Sequence, residues 1–175
     1  MRGVGTEEKA KAAATRLVLQ RMRSRQELTR RLLDAGHSME HTEAAVEMLV
    51  RNGYLDDAAF ARAFIMDKMN LRGQGEMRIR RDLSALGVSK ADIAQGFALC
   101  EAQFEEEGEP RLLRELQNAV RAAERFLHRR PLADAANARR AADHLARRGY
   151  GFPVIKEALQ LYRKNMSGDD DAHTQ

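Results

Sequence analysis

The sequence is poor in the residues that build disulfide frameworks and β-sheets. It contains no tryptophan, one cysteine and three prolines in 175 residues, and aromatic side chains make up 5%. The single cysteine, Cys100, excludes an internal disulfide and suits a reducing cytosol. Few prolines and aromatics, together with many Ala, Leu, Arg and Glu residues, favour helices over strands. The sequence therefore predicts an all-helical protein.

No segment of the sequence is long and apolar enough to enter a membrane. A spanning helix needs a run of about 18 or more apolar residues, and none occurs in this sequence. The first residues also lack the apolar core of a secretion signal. We therefore expect a cytoplasmic protein that does not interact with membranes.

Charged residues are abundant, and their balance is basic. They make up 32% of the chain, and the net charge is +4. A basic surface favours an acidic partner, such as nucleic acid or a nucleoprotein. The excess is modest because acidic and basic residues are interspersed through most of the chain.

Three glycines mark an internal repeat. Gly36, Gly87 and Gly149 each end a stretch with helical periodicity, at intervals of 51 and 62 residues (87 − 36 and 149 − 87). Another helix with an apolar face precedes each of these stretches, and a further one follows each glycine. Each copy would bury little surface alone, so neighbouring copies have to share an apolar face. With the glycines superposed, the residues that align four positions earlier are Leu32, Leu83 and Leu145.

The predicted fold class is all-α, with three tandem three-helix repeats that form an elongated, curved array. Serines that follow two of the glycines, Ser38 and Ser89, are predicted to cap the third helix of their repeats. Asp56 or Asp57 is predicted to cap the helix that opens the second repeat. The predicted boundaries are 1–9 for a flexible N-terminus, 10–53 for the first repeat, 54–104 for the second, 105–111 for an acidic linker, 112–165 for the third repeat and 166–175 for a disordered acidic tail.

One motif resembles a metal site. The string HSMEH, residues 37–41, fits the H-x-x-E-H pattern, in which two histidines hold zinc and the glutamate acts as a base. However, the string begins directly after the Gly36 turn, which predicts that His37 lies outside the helix that carries His41. The aligned strings of the other two copies contain no histidine. A zinc hydrolase therefore stays only as an alternative.

The other candidate motifs have structural interpretations. Cys100 aligns with Leu49 and Tyr162 and is predicted to be a core residue rather than a nucleophile. The string RGQGE, residues 72–76, is too short for a phosphate-binding loop and is predicted to be a turn between helices. We therefore predict no enzymatic activity, no metal and no cofactor.

Arginines recur on or beside the second helix of each repeat. Nearby acidic residues could pair with them on ordinary solvated helix faces, so a single arginine carries little information. Their recurrence in all three copies favours a basic surface for an acidic partner. The arginines predicted to form this surface are Arg23, Arg25, Arg30, Arg72, Arg78, Arg80, Arg81, Arg147 and Arg148.

Three stretches resemble the RecX family of bacterial recombinase regulators. The strings GYLDDAAFARAFI, residues 53–65, and RGQGEMRIRRDLSALGVSKADI, residues 72–93, resemble the central motif of that family. RSRQELTRRLLDAG, residues 23–36, resembles its opening motif, and HLARRGYGFPVIKEAL, residues 144–159, resembles its closing motif. The three motifs occur in the family's order and extend over roughly residues 10–165.

The resemblance implies a regulator without chemistry of its own. RecX-like proteins bind the RecA filament on single-stranded DNA and lower its recombinase, ATPase and co-protease activities, which modulates DNA repair and the SOS response. By this resemblance, the arginines would face the recombinase or the enclosed DNA. We further expect a monomer, for which direct DNA binding is at most weak. The alternative is a helical repeat protein that binds DNA nonspecifically, through phosphates alone and with steep salt dependence.

Overall fold

The computed structural model of the chain is helical in every element that it describes. The described residues are 6–128, 132 and 134–171, with side chains described up to residue 166. Nine helices and no strands occur within these ranges. The helices are α1 (Glu7–Gln20), α2 (Arg25–Asp34), α3 (Met39–Arg51), α4 (Asp57–Asn70), α5 (Glu76–Ala85), α6 (Lys90–Glu106), α7 (Arg111–Leu127), α8 (Ala135–Arg147) and α9 (Phe152–Asp171).

The helices form three tandem three-helix repeats, α1–α3, α4–α6 and α7–α9, as the glycine register predicts. Gly36, Gly87 and Gly149 all have φ between +78° and +90°, where a side chain would be strained. After each glycine, the next N–H donates to the carbonyl of a leucine five residues earlier, which closes the helix end. These leucines are fully buried. The pairs are His37–Leu32 (3.1 Å), Val88–Leu83 (3.1 Å) and Tyr150–Leu145 (3.2 Å).

Side-chain caps begin several of the helices. Ser38 Oγ accepts from His41 N at 3.2 Å, and Ser89 Oγ accepts from Asp92 N at 3.1 Å, as predicted. At the start of α4, Asp56 is the capping residue, since its Oδ1 accepts from two backbone N–H groups. These bonds satisfy amides that have no partner inside the helix. The short turns between helices are therefore determined by local sequence.

The chain divides into two compact units, each with its own apolar core. Unit 1 comprises the described part of Met1–Phe64 together with Asp82–Ala98, and unit 2 comprises Ile65–Arg81 together with the described part of Leu99–Gln175. Each unit contains one complete terminal repeat and part of every helix of the middle repeat. Leu28, Leu32 and Leu49 lie in the core of unit 1. Leu145 and Tyr150 lie in the core of unit 2, and Cys100 is buried, as predicted.

Three helix ends differ from the predicted domain boundaries. α1 begins at Glu7, within the segment predicted to be a flexible N-terminus, and Lys11 pairs with Glu7 at 2.5 Å. α6 continues to Glu106, so that only residues 107–110 separate it from α7. α9 continues to Asp171, although a disordered tail was predicted from residue 166, because no proline interrupts the helix after Tyr162, the last buried residue among the side chains described. Residues 172–175 lie outside the described residues.

Candidate basic interaction sites

Arg23 does not lie on the outward surface that the sequence predicts for it. Its side chain is buried, with the residue only 6% exposed, and its Nη1 lies 2.5 Å from Glu27 Oε1. Its Nε also donates to the carbonyl oxygen of Leu17 at 2.9 Å. A charge removed from water in this way needs such a partner, so Arg23 stabilises unit 1 internally.

Glu27 is the centre of this buried cluster. Arg21 Nη2 lies 2.5 Å and Arg31 Nε 3.0 Å from the same carboxylate oxygen that Arg23 contacts. Burial alone would raise the pKa of the Glu27 carboxyl, but the hydrogen bonds from the three arginines outweigh it and lower that pKa. Three basic side chains of unit 1 are therefore paired with one acidic residue of the same unit.

Arg25 and Arg30 are the predicted arginines of unit 1 that do face outward. Both side chains are exposed, and neither makes an ion pair within the described residues. Both lie on α2, which begins at Arg25. Only these two of the three predicted positions in unit 1 are therefore available to a partner.

The start of α2 contacts residues of the second repeat, and we call these contacts the first junction. Ser24 Oγ donates to the carbonyl oxygen of Leu86 at 2.7 Å. Asp57 Oδ1 accepts from the backbone N–H of Arg25 at 2.8 Å. A Cβ on Gly87 would lie 2.5 Å from Gln26 Cβ, so only glycine permits this approach. All of these residues belong to unit 1.

The start of α5 makes the equivalent contacts in unit 2, which we call the second junction. Gly75 N donates to the carbonyl oxygen of Arg148 at 2.9 Å, and Glu115 Oε1 accepts from the backbone N–H of Glu76 at 2.9 Å. A Cβ on Gly149 would lie 2.3 Å from Arg78 Cβ. In the glycine register these residues align with those of the first junction: Gly75 with Ser24, Arg148 with Leu86, and Glu76 with Arg25. In both junctions the carbonyl before the glycine turn accepts a hydrogen bond from the previous repeat. The donor is the Ser24 hydroxyl in the first junction and the Gly75 backbone N–H in the second.

A buried carboxylate from the next repeat completes each junction. Asp57 is 4% exposed and Glu115 is 3% exposed. Burial raises the pKa of both carboxyls, and the backbone N–H that each accepts opposes that shift. These two residues bind backbone rather than ligand, so they act in assembly of the repeats.

Arg72 and Arg148, which lie far apart in the sequence, meet at the second junction. Arg148 Nη2 donates to the carbonyl oxygen of Arg72 at 2.6 Å and to that of Gly73 at 3.0 Å. The Tyr150 hydroxyl donates to the same Gly73 oxygen at 2.7 Å, and burial raises the pKa of that hydroxyl to about 12. The Arg72 side chain is exposed and makes no ion pair within the described residues.

The remaining predicted arginines of unit 2 differ in their contacts. Arg78 Nη1 donates to the carbonyl oxygen of Arg147 at 3.5 Å, and Arg80 Nε lies 2.7 Å from Glu76 Oε1. Arg81 and Arg147 have exposed side chains that make no ion pair within the described part of the chain. The structure therefore brings Arg72, Arg78, Arg147 and Arg148 together around one junction.

Two arginines of α7 that the sequence analysis did not select lie at the same place. Arg121 and Arg125 line one cavity with Arg72 and Arg148. Their i, i+4 spacing puts them on one face of α7, which is the sequence signal that could have identified them. Their proximity to Arg148 depends on tertiary packing and could not be read from the sequence.

The HSMEH string lies across the start of α3. His37 precedes α3, and His41 lies within it, as predicted. No group of three or more His, Cys, Asp or Glu side chains in the described ranges could hold a metal ion. Likewise, none of the helices described is both long and apolar enough to cross a membrane.

Comparison with known proteins identifies the relatives of this chain. A family model described as RecX, second three-helix domain, matches residues 56–96, which is most of the middle repeat. The regulatory protein RecX of Xanthomonas oryzae pv. oryzae (strain MAFF 311018) is 32% identical over 145 residues, covering 83% of each chain. That of Stenotrophomonas maltophilia (strain R551-3) is 33% identical over 144 residues, covering 82% of this chain and 81% of the relative.

The fold has a solved counterpart. The crystal structure of RecX from Lactobacillus salivarius superposes with a TM-score of 0.76 at 16% identity, over 89% of this chain and 96% of that one. Fold and sites together define a helical tandem-repeat protein whose exposed arginines gather beside a junction between repeats. The chain belongs to the RecX family, whose members compared here are named regulatory proteins.

Proposed function

We propose that this chain binds the RecA filament on single-stranded DNA and inhibits its recombinase, ATPase and co-protease activities. It acts in the cytoplasm as a monomer, by binding alone and without chemistry of its own. In this role it limits recombinational DNA repair and the SOS response. The alternative that the charge pattern also supports is nonspecific binding to DNA.

The observation that carries the proposal is family membership over most of the chain. The relatives named regulatory protein RecX align over more than four-fifths of its length. The resemblance of its three motifs to the RecX family implies the RecA filament as the partner. A regulator that acts by binding needs an accessible surface rather than an active site.

Electrostatic attraction is the basis of the binding proposed for the exposed arginines. Exposed arginines attract the acidic surfaces of a nucleoprotein and can donate paired hydrogen bonds to carboxylates or phosphates. Arg25 and Arg30 in unit 1 and Arg72, Arg81 and Arg147 in unit 2 have the required exposure. Arg23 takes no direct part in this proposal because its charge is buried and paired.

Charge reversal on α5 tests the proposal. We expect the triple variant Arg78→Glu, Arg80→Glu and Arg81→Glu to bind RecA–DNA filaments at least tenfold more weakly than the wild type, measured by co-sedimentation. A charge-assisted contact is worth about 1.5–3 kcal/mol, so the loss of even one produces an effect of this size. Circular dichroism melting checks that the helices persist, since Arg80 also pairs with Glu76.

A matched control changes the same net charge elsewhere. Arg16, Arg51 and Arg62 are exposed in unit 1 and were not predicted to contact the filament. We expect their reversal to Glu to leave filament binding within about twofold, because solvent and salt screen charges that lie far from the interface. Equal losses for both triple variants would indicate a nonspecific effect of net charge and contradict a specific surface.

The nonspecific DNA-binding alternative makes a different prediction. Exposed arginines without ion pairs, such as Arg72 and Arg81, would suffice to contact phosphates. Such a protein would bind bare single-stranded DNA as tightly as it binds the filament, and both affinities would fall steeply with salt. Fluorescence anisotropy of labelled DNA, with and without RecA, separates the two cases.

A further inference from the structure

Unit 2 contains a cavity with arginine at four of its eight lining residues. Its volume is about 330 Å³, and the turn after α4, the outer face of α7 and the residue after α8 all contribute to it. No aspartate or glutamate lines it among the described residues. We call this space the arginine cavity. Its lining includes Arg72, Gly73, Asn118, Arg121, Arg125 and Arg148.

Hydrogen bonds to backbone and amide groups hold two of the four arginines in position. Arg148 donates through Nε and Nη2 to Gly73 O at 3.2 and 3.0 Å. Arg121 Nη2 donates to Asn118 Oδ1 at 3.2 Å, and Asn118 Nδ2 in turn donates to Met69 O at 3.0 Å. None of these partners carries a negative charge, so the arginines are oriented without being neutralised.

The other two arginines complete a group of four like charges. The side chains of Arg72 and Arg125 are exposed and make no ion pair in the part of the chain that the structure describes. Like charges that share one cavity repel each other, and an anion bound between them would reverse that unfavourable energy. The field extends to His144, where burial and then the charges of Arg148 and Arg147 lower the pKa of the imidazole.

The geometry limits the class of anion. Guanidinium groups bind phosphate through paired hydrogen bonds, and a phosphate oxygen can accept from several arginines at once. A volume of about 330 Å³ corresponds to roughly eleven water molecules at about 30 Å³ each, which is enough for a phosphate group and the sugar attached to it. No aromatic side chain lines the cavity, so it offers no surface for base stacking.

We propose that the arginine cavity is a phosphate-binding site that takes one phosphate group regardless of base sequence. The phosphate can come from the backbone of a single DNA strand or from a free phosphate ion. Binding of this group requires no recombinase. A role for this site on the RecA filament rests on the proposed function. In that role, the site is where the regulator contacts the DNA strand directly.

A double variant tests the site in the intact chain. Arg72→Gln with Arg125→Gln removes two exposed guanidinium groups, and Arg16→Gln with Arg51→Gln is the control with the same change in charge. With a short oligothymidylate, we expect the site variant to bind about tenfold more weakly or worse, and the control to change less than about twofold. The plot of log affinity against log salt should become shallower by about 0.7, the value for one phosphate of a single strand.

Two further ligands distinguish the sources of phosphate. An oligothymidylate with an uncharged methylphosphonate backbone should not bind if the strand's phosphate is the ligand. Inorganic phosphate should raise the melting temperature of the wild type more than that of the site variant if a free ion suffices. Arg125→Lys in place of Arg125→Gln should recover part of the affinity, because lysine keeps the charge but not the paired hydrogen bonds.

The outcomes separate this site from the proposed function. Equal affinity of the site variant and the control for both ligands, with intact circular dichroism, would overturn the phosphate site. Loss of oligothymidylate or phosphate binding only in the site variant would support it, even if the wild type had no effect on RecA. If the site variant alone lost binding and the wild type had no effect on RecA, the proposed function would be contradicted and the phosphate site would still be supported.

Discussion

In each junction a buried carboxylate accepts a backbone N–H, but the two junctions carry opposite charge at one aligned position. Glu27 in unit 1 occupies the place that Arg78 occupies in unit 2, since the glycine register relates them by 51 residues (78 − 27). In unit 1, Arg21 pairs with Glu27, whereas Arg72, its counterpart, makes no ion pair within the described residues. One acidic residue thus determines whether nearby arginines serve the fold or stay available for a partner.

This difference explains why arginines in a repeat have unequal roles. The repeated scaffold requires a glycine turn, a buried leucine and a carboxylate that accepts a backbone N–H. The side chain at the aligned positions 27 and 78 differs between the repeats, so the same scaffold holds a buried ion-pair cluster in unit 1 and an arginine beside the junction in unit 2.

The largest effect should come from removing the negative charge of unit 1's buried cluster. We expect Glu27→Gln to lower the free energy of unfolding by about 3–5 kcal/mol, because it leaves the buried Arg23 guanidinium without its counter-ion. Glu76→Gln in unit 2 should cost less than about 1 kcal/mol, since Glu76 and Arg80 are much more exposed. The second partner of Glu76, Arg111, keeps its ion pairs with Glu101 and Glu115 in this variant. Urea denaturation measures both, and similar losses would contradict the difference between the clusters.

Glycine substitutions should distinguish a tight junction from a simple turn. Gly149 and Gly36 both have φ of +90°, but a Cβ would meet Arg78 only at Gly149. We expect Gly149→Ala to cost about 2–4 kcal/mol, from strain plus overpacking, and Gly36→Ala about 1–2 kcal/mol from strain alone. Thermal or chemical unfolding compares the two variants. A Gly149 variant no less stable than the Gly36 variant would indicate that the second junction is loose.

The smallest effect should be a difference in how Glu115 and Glu27 make the stability of the fold depend on pH. The pKa of Glu115 is raised in the folded protein, so its contribution to stability is fully present at low pH and is lost as the pH rises through that folded pKa. The pKa of Glu27 is lowered, so its contribution is present above the ordinary value of 4.5 and is lost as the pH falls through the folded pKa.

Two glutamine variants test whether these two pH dependences of stability have opposite signs. As the pH rises from strongly acidic to neutral, Glu115→Gln should gain stability relative to the wild type, and Glu27→Gln should lose it. Denaturation midpoints recorded across that range give the sign for each variant. If the stability of both variants changed with pH in the same direction relative to the wild type, the assignment would be contradicted. That assignment is that burial disfavours the charged form of Glu115 and that arginines favour the charged form of Glu27.

The sequence predicted the repeat architecture because its determinants are local. Glycine at a left-handed turn, leucine five residues before the closing N–H, and serine caps at Ser38 and Ser89 all act within one or two turns of helix. Arg72 is exposed and Arg148 is partly exposed, and their role in binding stays a prediction.

Long-range contacts account for what the sequence could not predict. Burial of Arg23 depends on Glu27 and on the Leu17 carbonyl, which only the packed structure brings together. Asp57 was considered as a helix cap, but its carboxylate accepts from Arg25, 32 residues earlier in the chain. Arg121 and Arg125 gain significance only because α7 lies beside the turn that carries Arg72.

The most direct test of the proposed function is ATP hydrolysis by RecA filaments on single-stranded DNA during titration with the purified protein. Affinity for bare DNA should be measured alongside, under the same salt conditions. The proposal predicts that hydrolysis falls at protein concentrations too low to coat bare DNA. Unchanged hydrolysis, together with salt-sensitive binding to bare DNA, would contradict regulation of the filament and favour nonspecific DNA binding.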